Sequence, residues 1–224
     1  MSYLQLDLGC GGCKKPGTIG IDIFPQPGVD YVVNFETDTL PLADNSVDYV
    51  YSSHCLEHLK DPTKIFAEIS RVCVDGAKLE LWTPYAWENS AFIIDHKLFF
   101  NEDHYLHICV WFVDFWQKIL NSTWLLSEFT FVVEPKILVE LYENQISLDF
   151  ALKYYKGIVK EFCANIQVRK NYQGEIVEPQ RTFAISRSAP RYLIESQTNT
   201  SFSDAKLEAA IDYLSNRQVA KYAK

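Results

Sequence analysis

A strand-like run, "YLQLDL" at 3–8, leads directly into Gly9-Cys10-Gly11-Gly12, and only "CKKPGT" separates those glycines from a second run that ends at Asp22. Glycine lets backbone adopt positive φ and approach a ligand closely. Neighbouring parallel strands normally need a crossover of about a dozen residues. The first crossover helix must therefore be reduced to a turn, or the connection must be unusually tight.

The rhythm continues to residue 84 with "VDYVVN", "VDYVYSS" and "KLELWTP". Before the last of these, "DPTKIFAEISRV" places Ile65, Phe66, Ile69, Val72 and Cys73 on one helical face, with Asp61 as a ready N-cap and Pro62 at the first turn. Strands alternating with helical or loop crossovers predict an α/β fold with a mostly parallel sheet, whose ligands lie beyond the carboxyl ends of the strands. Residues 85–128 break the period and are too apolar for a linker, so they read as an aromatic-rich covering segment, with "WFVDFWQKIL" as a helix. "FTFVVEPKILVELYE", "IVKEFCANIQVRK" and "RTFAISRSAP" read as closing strands that add a C-terminal antiparallel edge pair. A polar connection then leads to a terminal helix capped by Ser203, with Leu207, Ala210, Ile211 and Leu214 as its apolar stripe. The expected organisation is one domain over 1–190, divided into 1–84, 85–128 and 129–190, followed by 191–224 as connection and helix.

A net charge of -8 with no long basic run argues against a surface built for nucleic acid. No apolar stretch reaches the roughly 20 residues needed to cross a bilayer, and no secretion signal opens the sequence, so a soluble, cytoplasmic chain with reduced thiols is expected.

A dinucleotide fingerprint requires a third glycine where Lys14 stands and a ribose acid about 20 residues on, whereas Asp22 follows Gly9 by 13 positions. The stretch instead resembles the first motif of class I S-adenosylmethionine-dependent methyltransferases: an acid, one more residue, Gly-x-Gly, then a second acid closing the next strand. The likeness continues in "LPLADNSVDYVYSSHCLEHLKDP" and "EISRVCVDGAKLELWTP", which are similar to the type 11 group of that family, and it covers about residues 4–84. It implies a Rossmann-like methyltransferase fold with a shortened first helix.

The resemblance also implies roles. Asp7 would orient the methionyl amine, and the backbone of Gly9, Cys10 and Gly11 would line the cofactor. Asp22, with Ile23 beside it, would accept both ribose hydroxyls, since a carboxylate matches a vicinal diol. Asn34 and Phe35 would contact adenine. Ser53 and His54 would face the methionine end and the transferring methyl.

Cys10 and Cys13 have zinc-like spacing, but no second close pair completes four ligands, so the metal expectation is none. His54 is a candidate general base or a positioning residue, with His96 and His104 as further catalytic candidates. Tyr85, Trp87, His96, His104 and His107 are candidate substrate contacts, half of the aromatics in this segment being expected in the core. Asp95, His96, Glu102, Asp103, His104 and His107 stand close in sequence, which is compatible with substrate contacts, a divalent metal or exposed polarity.

The expected activity is S-adenosyl-L-methionine-dependent methyl transfer to an oxygen or nitrogen of a small or medium-sized acceptor. Three alternatives stay open: an NAD-dependent oxidoreductase sharing the glycine loop, an enzyme acting on a peptide or RNA with a partner, and a catalytically silent binding subunit.

Overall fold

The computed structural model describes residues 3–188 and 204–219. Eight strands form one sheet: β1 (Leu4–Leu8), β2 (Ile19–Asp22), β3 (Tyr31–Val32), β4 (Val47–Ser53), β5 (Cys73–Pro84), β6 (Thr123–Val132), β7 (Glu161–Arg169) and β8 (Gln180–Ala184). Their order is β3-β2-β1-β4-β5-β7-β6-β8. The first five strands pair in parallel, β7 runs antiparallel to both β5 and β6, and β8 lies parallel to β6 at the edge. The expected antiparallel pair is β6–β7, set one strand in from the edge by β8.

Among the described residues six α-helices accompany the sheet: α1 (Thr63–Val72), α2 (Glu102–Leu106), α3 (Val113–Leu120), α4 (Pro135–Glu143), α5 (Leu148–Tyr154) and α6 (Asp204–Val219). The run read as one strand from Phe129 is β6 followed by α4. Pro135 takes the start of that helix, where its missing N–H costs nothing. At α1 the N-cap is Pro62, while Asp61 Oδ1 accepts the Thr63 N–H at 2.9 Å. Ser203 lies outside the described residues.

All six helices contribute to one buried cluster, which meets Leu6, Leu8, Val50, Leu79, Leu81, Phe129, Phe131, Phe162 and Ile166 from the strands. On α1, Ile65, Phe66 and Ile69 are buried, and the Phe66 ring lies 5.0 Å from that of Trp124 on β6. The alternate residues of the same strands make a different surface. Asp7, Tyr51, Glu80, Asn165, Glu128 and Gln180 stand in successive register across the sheet, a polar rung. The only apolar cluster on that side is Trp82, Val132 and Cys163 with Tyr51, to which no helix contributes among the described residues.

This one-sided packing follows from the sequence between β1 and β2. Residues 9–18 make turns and no helix, and Lys15 folds back over the polar rung. Its N–H donates to Asp7 Oδ2 at 2.7 Å, and its ammonium donates to the Tyr49 hydroxyl at 2.6 Å and lies 4.0 Å from the Tyr51 ring centroid. The expected shortening of the first helix is complete. Among the described residues no helix is long and apolar enough to cross a membrane.

Candidate functional site

Strand order reverses between β1 and β4, which places the loop after β1 beside the end of β4, the crevice where open α/β sheets bind ligands. Gly9 (φ 70°) and Gly11 (φ 50°) occupy the left-handed region. A Cβ on Gly9 would stand 2.3 Å from Cys55 Cβ, so glycine is required by space as well as by φ. The loop is latched to β2: Gly9 N–H donates to Ile21 O at 2.8 Å, and Gly11 N–H to Asp22 Oδ2 at 2.9 Å.

Asp22 accepts a second bond at Oδ1 from Phe24 N–H, 3.0 Å. Each carboxylate oxygen has two lone pairs, so both retain capacity for a further donor. Asp7 is buried, and burial pushes its carboxyl up despite the opposing Lys15 N–H and lysine charges. Cys10 is also buried, with its thiol pushed up to about 11 by burial and by the charges of Asp7 and Asp22, which suits packing better than metal or redox chemistry.

At the end of β4, His54 has φ 52°, unusual for a side chain with a Cβ, and its N–H donates to Trp82 O at 3.0 Å. Its two ring nitrogens face two carboxylates: Nε2 is 2.7 Å from Glu161 Oε2 and Nδ1 is 3.2 Å from Glu57 Oε1. Burial pushes the imidazole down, but the two carboxylates outweigh it and hold it up at about 9. Neither nitrogen presents a free lone pair to an acceptor, so this arrangement suits the positioning role rather than the base.

Glu161 is itself clamped by Arg187, whose Nε donates to Oε1 at 2.7 Å and whose Nη2 pairs with Oε2. The same guanidinium donates through Nη1 to Ser53 Oγ at 2.6 Å and to the Tyr51 hydroxyl at 3.0 Å, and lies 4.7 Å from the Trp82 ring centroid. Sequence reading missed Glu161 and Arg187. The available signal was an acid opening the strand-like run "EFCANIQV"; its partner His54 stands 107 positions away.

The other sequence candidates are dispersed. Ile23 is exposed beside Asp22. Asn34 follows β3 and uses its Oδ1 to accept Glu36 N–H at 3.0 Å, while the Phe35 ring is buried in the core and leaves only its backbone for an adenine contact. Tyr85 is likewise a core residue, donating to Glu102 Oε2 at 2.7 Å, whereas Trp87 is exposed.

Residues 95–107 do not form one constellation. Glu102 holds Tyr85 and Arg181, the latter at 3.0 Å, and His104 Nδ1 pairs with Asn101 Oδ1 at 2.8 Å to cap α2. His107 Nδ1 accepts the Trp116 indole N–H at 3.0 Å. His96 turns the other way, toward His58, with ring centroids 4.7 Å apart. The physical reason is the end of β5: residues 85–100 run back over the end of β4 before α2 begins, separating neighbours in sequence.

Residues 18–81 match the family model described as a methyltransferase domain. The ajmaline N-methyltransferase of Rauvolfia serpentina is 30% identical over a match covering 34% of this chain and 34% of that protein. The match thus spans only 34% of the curated relative's length. Among solved structures, an S-adenosylmethionine-dependent methyltransferase from Mesorhizobium loti is 11% identical with a TM-score of 0.45, over 73% of this chain and 90% of that one. Haemonchus contortus phosphoethanolamine N-methyltransferase 2, solved with S-adenosyl-L-methionine, is 18% identical with a TM-score of 0.46, over 76% of this chain and 50% of that one.

Proposed function

We propose that this chain, which matches the methyltransferase-domain model over residues 18–81, is a class I, type 11-like methyltransferase that transfers a methyl group from S-adenosyl-L-methionine to an oxygen or nitrogen of a small or medium-sized acceptor. The observation that carries the reading is Asp22 at the end of β2, its carboxylate latching the glycine loop through Gly11 N–H while keeping acceptor capacity for a ribose diol. In support, Asp7, Gly9, Cys10 and Gly11 lie in or just after β1, and Ser53 and His54 at the end of β4, its neighbour across the reversal of strand order.

The sulfonium supplies the electrophile when the cofactor is bound. This chain's part is to align and to exclude water; alignment alone supplies several kcal/mol of rate enhancement. In this reading Asp7 faces the methionyl ammonium, Asp22 the ribose, and the backbone after β3 the adenine. His54 is a positioning residue: Glu161 and Arg187 hold its ring, and with it the left-handed turn after β4, against the methyl-bearing end. The exposed rings of Trp87, Phe92 and Phe99 supply apolar surface for an acceptor such as an amine. The N-methylating relative supports a small acceptor.

The test is calorimetric binding of S-adenosylhomocysteine to the full chain, followed by an acceptor screen with tritiated methyl. Binding with turnover of a small acceptor is the expected result. Binding without turnover of any small acceptor favours a peptide or RNA acceptor or a silent subunit. Absence of binding overturns the reading.

A further inference from the structure

We propose that Glu57, His58 and His96 form a binding site for a divalent transition cation of the Zn2+ type, independent of the methyl-transfer reading. One ligand-capable atom from each of the three lies within 4.8 Å of the others. Ligands of a tetrahedral ion sit about 3.3 Å apart, so small side-chain rotations bring them to bonding positions. Two imidazoles and one carboxylate leave a fourth position for water or another donor, a combination that Zn2+ accepts readily.

Three further observations point to a cation. Glu57 is 1% exposed, and neither of its carboxylate oxygens accepts a hydrogen bond; the approach of His54 Nδ1 to Oε1 at 3.2 Å is an ion-pair contact without hydrogen-bond alignment. The His54 ring at 3.2 Å compensates Oε1 in part, and Oε2, buried without any donor, is the oxygen left to gain from a further cation.

Each histidine is also held through its Nδ1. His58 Nδ1 is 3.2 Å from Asp95 Oδ2, and His96 Nδ1 is 3.2 Å from Ala91 O. The His96 Nδ1 proton given to Ala91 O leaves its Nε2 lone pair available, and the Asp95 ion pair holds the His58 ring beside it, as carboxylates and carbonyls orient metal-ligating imidazoles. Finally, the backbone fastens the two contributing segments together. Lys97 and Leu98 N–H both donate to Glu57 O, at 2.7 and 3.1 Å, so the turn carrying Glu57 and His58 cannot drift from the segment carrying His96.

The experiment is titration of Zn2+ alone into metal-free full-length chain, read by calorimetry and by thermal unfolding. One equivalent is expected to bind and to raise Tm. His58→Ala and His96→Ala should each weaken binding by about 100-fold or more, and Asp95→Asn by about 10-fold, the range for loss of an orienting partner. Cys13 is the exposed thiol of the glycine loop, so Cys13→Ser should leave Zn2+ affinity unchanged.

Failure of the wild-type chain to bind Zn2+, or binding lost in Cys13→Ser and kept in the two histidine variants, overturns the proposal. Should the alanine variants unfold, Co2+ absorption of the wild-type chain decides. Bands of a nitrogen and oxygen ligand field are expected, and a thiolate-to-cobalt charge-transfer band overturns the site. All these readouts stand apart from methyl transfer, so failure here leaves that reading untouched.

Discussion

His54 Nε2 lies 2.7 Å from Glu161 Oε2, joining the end of β4 to the start of β7 across 107 positions of sequence. These strands are not neighbours, since β5 runs between them, and the contact spans it. Arg187, just beyond β8, completes the link on the far side of the Glu161 carboxylate. The turn that carries His54 is therefore tied to the C-terminal strands by an ion network.

Burial pushes the Glu161 carboxyl up, but Arg187 and His54 overcome this and hold it at about 2, below its ordinary value of 4.5. A depressed carboxylate contributes stability that is complete above the ordinary value and is lost as pH falls toward the folded-state value. Glu161→Gln should thus destabilise the chain by about 2 kcal/mol at neutral pH. The gap from wild type should close between pH 4.5 and about 2. Urea unfolding across that range checks both; a gap independent of pH would show that Glu161 is not ionised as described.

Asp22→Ala should weaken S-adenosylhomocysteine binding by at least about tenfold, the loss of one charge-assisted hydrogen bond. It also frees the Gly11 and Phe24 N–H groups, so a modest fall in Tm is expected beside the affinity change. Calorimetry on folded variant protein separates the two. Unchanged affinity would count against the assigned ribose contact.

Gly9→Ala should cost about 2 kcal/mol or more, because φ 70° is strained for any residue with a Cβ and the new methyl would meet Cys55 Cβ at 2.3 Å. The clash is with Cβ and not only with the sulfur. Cys55→Ala should therefore fail to rescue it, while Cys55→Gly should restore the steric part alone. Thermal unfolding of the double variants makes the comparison.

Tyr105→Phe should leave stability unchanged or raise it by about 1 kcal/mol. The ring is fully buried against Phe100, Phe129 and Phe162, but its hydroxyl has no hydrogen-bond partner. Removing an unpaired buried hydroxyl without changing the ring removes a desolvation penalty and little else. A loss of more than 1 kcal/mol in chemical unfolding would contradict this.

Local chemistry was legible where it acts over a few residues. The strand–glycine–strand–acid order at 4–22, the α1 face, and the absence of room for a first helix are all properties of neighbouring positions, and all appear in the fold. The α4 helix was not read, because "KILVELYE" is apolar enough to pass for a strand and only Pro135 at its start marked the change. The histidines of 95–107 misled for a related reason: proximity in sequence does not specify which way each ring turns.

The sequence by itself determined the parallel α/β sheet, the crevice after β1 and the acid that latches it, because glycine conformation, strand alternation and short connections are local constraints. Tertiary structure alone decided that Glu161 and Arg187 hold His54, and that the His96 ring packs on His58 rather than joining His104 and His107. Those pairings depend on strand order and on the path of residues 85–100 over the end of β4. Both are set by burial of one shared core, which couples every element at once.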